Sequence, residues 1–205
     1  IYSADGKKLS VIHKSSAENR TDYVGNMIYE NGSLKRILVD GGYIENGTYY
    51  FYLQDHLGNN RVVAKSDGTV IQTNHYYPFG MSFTESTHGD KQPYKYNNKE
   101  LDMNNGLNWY DYDARQMEVV SGRFTSIDPM AEKYYSWSPY SYCLGNPIKF
   151  VDPTGTFTSP YYTEDGTFLG VDEKGFTGAI YITNKATFDK YSNKGVADSK
   201  KIQMY

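Results

Sequence analysis

Asx-Gly dipeptides punctuate the first 70 residues, among them Asp5-Gly6, Asn31-Gly32, Asn46-Gly47 and Asp67-Gly68. Asn or Asp followed by Gly accepts the positive φ that tight hairpin turns impose, so a chain marked this way is built from short antiparallel strands. Between the turns lie runs of strand length: Lys8–His13, Tyr23–Glu30, Leu34–Val39, Thr48–Gln54, Arg61–Lys65 and Thr69–Tyr77. Strands that return about every ten residues imply a meander, barrel, sandwich or β-solenoid. In Leu34–Val39 neither alternate set is cleanly apolar, which predicts a strand covered on both sides over part of its length. Tyrosine reinforces the β reading. It occurs 22 times in 205 residues, and its ring packs on a pleated surface while the hydroxyl finds water or a backbone group.

Composition narrows the function classes. A formal charge of −3 argues against nucleic acid as the main partner, since phosphate binding needs a cationic face. No apolar run reaches the roughly 18 residues of a membrane helix. Cys143 is the single cysteine, so it forms no internal disulfide and builds no thiolate metal site alone. His13, His56, His75 and His88 lack metal-ligand spacing, and no phosphate-binding Gly loop or Ser/His/Asp pattern is present. No cofactor or metal is expected. Residues 1–3 carry no initiator Met or signal peptide, and the chain reads as a piece of something longer.

Beyond Tyr77 the elements are sparser. Residues 81–100 turn polar and read as an exposed loop. In the strand-like Leu107–Asp113 segment, Leu107, Trp109, Asp111 and Asp113 share one face, and Tyr110 and Tyr112 take the other. Asp128-Pro129 predicts a short helix with Asp128 as its N-cap. Ser141 and its neighbours read as a strand ending at Cys143, whose thiol is expected to be buried and inert. A hairpin over Thr163–Gly178 and a helix capped by Thr183 come next, with a boundary at about 156.

Six motifs then stand in order. They are Tyr52-Leu-Gln-Asp-His-Leu-Gly-Asn-Asn-Arg-Val62, Tyr76-Tyr-Pro-Phe-Gly80, Tyr94-Lys-Tyr-Asn-Asn-Lys-Glu-Leu-Asp102, Gly106-Leu-Asn-Trp-Tyr-Asp-Tyr-Asp-Ala-Arg-Gln116, Gly122-Arg-Phe-Thr-Ser-Ile-Asp-Pro129 and Asn146-Pro-Ile-Lys-Phe-Val-Asp-Pro-Thr-Gly155. Over about residues 20–156 this resembles the RHS repeat-associated core domain, which closes the tyrosine-aspartate (YD) repeat shell of RHS and toxin-complex proteins. The resemblance implies a mainly β fold of antiparallel hairpins, part of a YD-repeat spiral or partial barrel, with two short helices. It divides the chain into the end of a preceding repeat (residues 1–20), the core domain (21–156) and the start of a variable C-terminal region (157–205). It also implies a secreted or cell-surface bacterial protein active in competition, whose partners are its own shell, its C-terminal cargo and a cognate immunity protein.

In several such proteins the core domain is an aspartyl autoprotease. It uses an Arg with an adjoining Asp and the Asp of a following Asp-Pro, and it cuts after a terminal Asp-Pro-x-Gly-Leu. Here Arg115 matches the Arg and Asp128 the later acid, and the cleavage motif survives as Asp152, Pro153, Gly155 and Thr156. Position 116 is Gln, which cannot exchange a proton, and position 156 is Thr in place of Leu. Asp111 or Asp113 is the substitute acid the sequence offers, and the bond between Thr156 and Phe157 is the expected cut. Plainer roles stand beside these: Asp128 as a helix cap, Asp152 as a turn residue, Arg115 as a bridge to Asp111 or Asp113. A third function class is a surface adhesion or carbohydrate-binding module whose exposed tyrosines stack on sugars.

Overall fold

The computed structural model describes residues 1–4, 7–14, 18–83, 86–89, 91–133, 135, 137–156, 160–163, 168–172, 181–193 and 196–197. They fall into two compact units. The first comprises Ile1–Asp55, Asn59–Tyr77 and Met81–Asn108; the second comprises His56–Gly58, Pro78–Gly80 and Trp109–Tyr205.

The first unit is an eight-stranded antiparallel meander in strict chain order: β1 (Ser10–Lys14), β2 (Glu18–Val24), β3 (Met27–Glu30), β4 (Ser33–Val39), β5 (Gly42–Glu45), β6 (Thr48–Gln54), β7 (Asn60–Lys65) and β8 (Val70–Thr73). Asn31-Gly32 and Asn46-Gly47 close their hairpins with both residues at positive φ, as the dipeptides require. The turn expected at Asp5-Gly6 lies outside the described residues. Two elements depart from expectation. The Tyr23–Glu30 run is split by a turn at Gly25-Asn26, with Gly25 at φ +64°. The sequence reading also passes over β5, four residues long, which pairs Gly42 with Phe51 and Tyr43 with Tyr50.

One sheet face is covered. On it Tyr43 stacks on Tyr50 at 4.6 Å and 5°, and Val63 is fully buried. Arg36 is buried here because Glu45 accepts its guanidinium at 2.6 Å and the Tyr43 ring lies 4.3 Å beneath it. On the opposite face Phe51, Leu53 and Val70 are exposed.

The polar segment after residue 81 is not an open loop. Gln92, Lys95 and Tyr96 are buried. Polarity survives burial because every step finds a partner. Gln92 N–H donates to Gln72 Oε1 at 3.1 Å, and Gln72 Nε2 donates to Asn74 Oδ1 at 3.0 Å. Asn74 Nδ2 then donates to the Asn60 carbonyl at 2.8 Å, and Asn60 Nδ2 to Asn98 Oδ1 at 2.9 Å. The segment ends in β9 (Glu100–Asp102), where Lys8 and the Tyr23 hydroxyl bind Glu100 at 2.6 and 2.7 Å, and His13 meets Asp102 at 2.9 Å.

The second unit opens with an antiparallel ladder, β10 (Trp109–Asp111), β11 (Gln116–Glu118) and β12 (Arg123–Phe124). Strand β10 is shorter than the sequence suggests, since Asn108 and Asp113 take left-handed φ of 53° and 67° at either side of it. The helix expected after Asp128 is a single 3-10 turn, Ala131–Lys133. Cys143 is buried, as expected, but in a 3-10 turn (Cys143–Gly145) rather than a strand. A five-stranded sheet completes the unit: β13 (Pro160–Tyr162), β14 (Phe168–Asp172), β15 (Tyr181–Ile182), β16 (Ser192–Asn193) and β17 (Val196–Ala197), in the order β15-β13-β14-β17-β16. It carries α1 (Lys185–Tyr191). That helix is capped by Asn184, whose Oδ1 accepts the Thr187 N–H at 2.8 Å, and not by Thr183.

Gly42 tests the register of the sheet. A Cβ there would sit 1.9 Å from the Tyr50 carbonyl oxygen. Gly42→Ala is expected to destabilise the chain by about 1–3 kcal/mol through forced backbone displacement, read as a lowered urea midpoint.

Candidate functional site

The β10–β11 hairpin turns through Tyr112–Arg115, held by Tyr112 N–H to the Arg115 carbonyl at 2.9 Å. That turn aims Arg115 inward, beneath a cluster of rings. Tyr112, Phe124 and Tyr142 meet edge to face with centroids 5.4–5.7 Å apart, and the Arg115 guanidinium lies 3.6 Å from the Phe124 ring centre. The arginine is 3% exposed, so its donors must be satisfied by protein.

They are. Nε donates to the Gly155 carbonyl. Nη1 donates to the Pro139 carbonyl at 3.1 Å, which also accepts Asp128 N–H at 3.0 Å. Nη2 meets Asp128 Oδ2 at 2.8 Å and Asp152 Oδ2 at 3.4 Å. Both carboxylates are buried. The second oxygen of each closes an Asx turn: Asp128 Oδ1 accepts Met130 N–H at 2.7 Å, and Asp152 Oδ1 accepts Thr154 N–H at 3.3 Å.

The segment that carries Asp152 is docked on the turn that carries Arg115. Ala114 N–H donates to the Thr154 carbonyl at 3.1 Å. Gly155 sits at φ +70°, where a Cβ would lie 2.6 Å from the Tyr112 carbonyl oxygen and 3.0 Å from the Arg115 nitrogen. Glycine is therefore the residue that lets the two backbones touch. Thr156 is next, its hydroxyl 2.7 Å from that of Thr154.

Electrostatics separates the members. Burial pushes the Asp152 carboxyl up to about 7, and the neighbouring Asp128 adds to the rise, against the opposing pull of Arg115 and the Thr154 and Gly155 N–H groups. Burial pulls the Arg115 guanidinium down from its ordinary value, and the two aspartates hold it up. Burial also raises the Cys143 thiol well above its usual range, consistent with an inert thiol.

The sequence-derived residues Arg115, Asp128, Asp152, Gly155 and Thr156 thus occupy one neighbourhood, with Pro153 in the connecting turn. The carboxylates on Arg115 are Asp128 and Asp152, which corrects the expected bridge to Asp111 or Asp113. Asp111 instead accepts the Asp113 N–H at 2.9 Å. Asp128 Oδ1 closes its turn on the Met130 N–H while Oδ2 binds Arg115. Pro139 was the contributor without a sequence signal, because it acts through its carbonyl. Among the described residues no cluster of His, Cys, Asp or Glu has the makings of a metal site. Tyr43, Tyr96, Tyr110, Tyr112 and Tyr142 are buried, and rings spent on packing are lost to sugar stacking.

The fold of mainly antiparallel hairpins is similar to part of several solved Tc toxin structures. Its solved neighbours include TcdB2-TccC3-TEV (TM-score 0.63, 22% identity, 76% of this chain and 9% of that one) and TcdB2-TccC3 without its hypervariable C-terminal region (TM-score 0.60, 22% identity, 75% and 9%). The Photorhabdus luminescens Tc holotoxin pore is similar too (TM-score 0.60, 21% identity, 75% and 8%). In sequence, the chain is 34% identical over 116 residues to salivary gland surface protein 1 of Aedes aegypti, spanning 56% of this chain and 3% of that protein. No family model matches. The chain therefore spans a small fraction of each relative's length. No described helix is long and apolar enough to cross a membrane.

The buried cluster leads to two expectations. Arg115→Met leaves two buried carboxylates without a counter-charge and is expected to cost about 3–5 kcal/mol in urea unfolding. An acid whose pKa is raised by folding binds its proton more firmly in the native chain. Stability is then lost as pH climbs from the ordinary carboxyl range near 4 to about 7. The urea midpoint should fall between pH 5 and pH 8, and the slope should flatten in Asp152→Asn.

Proposed function

We propose that this chain is the closing core of an RHS-type β-shell, which plugs one end of a YD-repeat cage and holds the region beyond Thr156 as cargo. The observation that carries the reading is the Arg115 clamp. One buried cation ties the Asp128 turn, the Pro139 turn and the Asp152–Gly155 segment together where the core ends. A plug needs such a fixed exit point, because the chain beyond it has to be held without disturbing the wall. The fold shared with Tc toxin structures supports the same reading. In this scheme residues 1–20 end the preceding repeat, 21–156 form the core and 157–205 begin the variable region. The partners are the shell itself, the cargo and a cognate immunity protein, and the site of action is outside the producing cell or on its surface.

A specific observation favours a second activity within this role, aspartyl-type self-cleavage near Thr156. Two buried carboxylates on one guanidinium, beside a chain segment whose carbonyl that guanidinium holds, are the groups such hydrolysis needs. Water is the co-reactant, so no cofactor is required.

Limited proteolysis of the natural full-length protein tests the plug. Residues past 156 should resist trypsin at least tenfold longer than the same segment expressed alone, and Arg115→Ala should abolish the protection. Digestion at the rate of the free segment would remove the encapsulating role.

A further inference from the structure

We infer that the uncharged free face of the eight-stranded sheet is a self-association surface, on which a second copy of this chain docks face to face across a two-fold axis. The second copy supplies the facing layer that an apolar sheet surface needs, so that the pair closes a sandwich core between two sheets. Such pairing is independent of any role in closing a shell.

The strand register carries it. An antiparallel sheet with one face on a core and the other in water reads apolar inward and polar outward. Here one cross-strand row on the free face runs Val24, Met27, Ile37, Ile44 and Tyr49, from β2 through β6. A second runs Val39, Gly42, Phe51, Ala64 and Val70, from β4 through β8. Neither row contains a charge. Val24, Phe51 and Val70 are nevertheless 53%, 44% and 55% exposed. The same register explains the two-sided pattern of Leu34–Val39, since Leu38 shares the covered face with Tyr43 while Ile37 and Val39 lie on the free one. The aromatic pair on this face is already fixed. Tyr49 Oη donates to the Asp40 carbonyl at 2.8 Å and its ring centre lies 4.3 Å from that of Phe51, so little side-chain freedom is lost on docking.

Size and charge select the occupant. The exposed and half-buried apolar side chains of this face present roughly 800 Å² together, about the share each partner brings to a standard stable interface and more than a monomer leaves bare in one patch. A charged partner would find no counter-charge on either row, whereas a second copy meets no like charge there. The two-fold axis makes the contact isologous: both copies use the same patch, and assembly stops at two. The twist of each sheet sets the strands of the two layers about 30° apart.

Sedimentation equilibrium of the 205-residue chain tests this. At about 100 μM the expected mass is twice the 23.4 kDa of one chain, falling toward one chain on dilution to about 1 μM. Phe51→Glu places two like charges in the contact and should weaken the association at least about tenfold. Val120→Glu changes an apolar side chain of the second unit that is 78% exposed, and should leave the association as it is. Both positions face solvent in the single chain, so both variants should keep the wild-type urea midpoint. If Phe51→Glu does not fold, Val70→Lys at the end of the same row carries the test. A one-chain mass at every concentration would overturn the inference and give the face to a partner of other chemistry. A two-chain mass that survives in folded Phe51→Glu, or masses that climb beyond two chains, would overturn it as well.

Discussion

Arg115 carries its N–H donors into a region closed to solvent, and the chain meets them with acceptors from three separate segments of its sequence. The carbonyls of Pro139 and Gly155 and the carboxylates of Asp128 and Asp152 surround it, with the Phe124 ring beneath. A buried ion pair is a poor source of net stability, because desolvating the charges consumes most of what their attraction returns. Its effect here is on specificity. A guanidinium fork has fixed directions, so the three segments that serve it are fixed relative to one another.

The first unit buries a polar segment by a different device, a network of neutral amides. Its buried ladder of Gln92, Gln72, Asn74 and Asn60 passes hydrogen bonds from side chain to side chain and backbone. A satisfied neutral network loses less to desolvation than an ionic one and still dictates register, since a slip would strand several amides together. This is why a segment rich in Asn, Gln and Lys packs against a β-sheet. Polarity alone did not mark it as buried, and only the pairing of Gln72 with Gln92, 20 residues apart, explains the burial.

What the sequence revealed divides along the same line. Local chemistry was legible: the Asn-Gly turns, the antiparallel meander and the capping role of Asp128 all arise from neighbouring residues. Elements defined by contact were not. Strand β5 is too short to show periodicity, lying between the Asp40-Gly41 and Asn46-Gly47 turns, and it pairs with both neighbours while Tyr43 stacks on Tyr50. The Thr183 cap gave way to Asn184 one residue later, a shift within the reach of either side chain. At the Arg115 cluster, the ordered motifs named residues that the fold brings together, yet their pairing required coordinates. Asp111 and Asp113 are nearer in sequence to Arg115 than Asp152 is, but their turn bonds them to each other.

The two aspartates on Arg115 share one local design. Each precedes a proline, which has no N–H to offer, so the first donor within reach of the carboxyl is the N–H two residues on. Met130 supplies it to Asp128 and Thr154 to Asp152. That bond uses one oxygen and leaves the other aimed at the arginine. Two copies of the same Asp-Pro turn therefore converge on one cation from separate places in the sequence. They differ in the path of the chain beyond the turn. After Asp128 it winds into a 3-10 turn, whereas after Asp152 it doubles back to place the Gly155 carbonyl on the guanidinium. The first copy is an anchor in the core. The second brings its own backbone to the charge it binds, so the path of the chain out of the core is fixed by the same cation that fixes the turn.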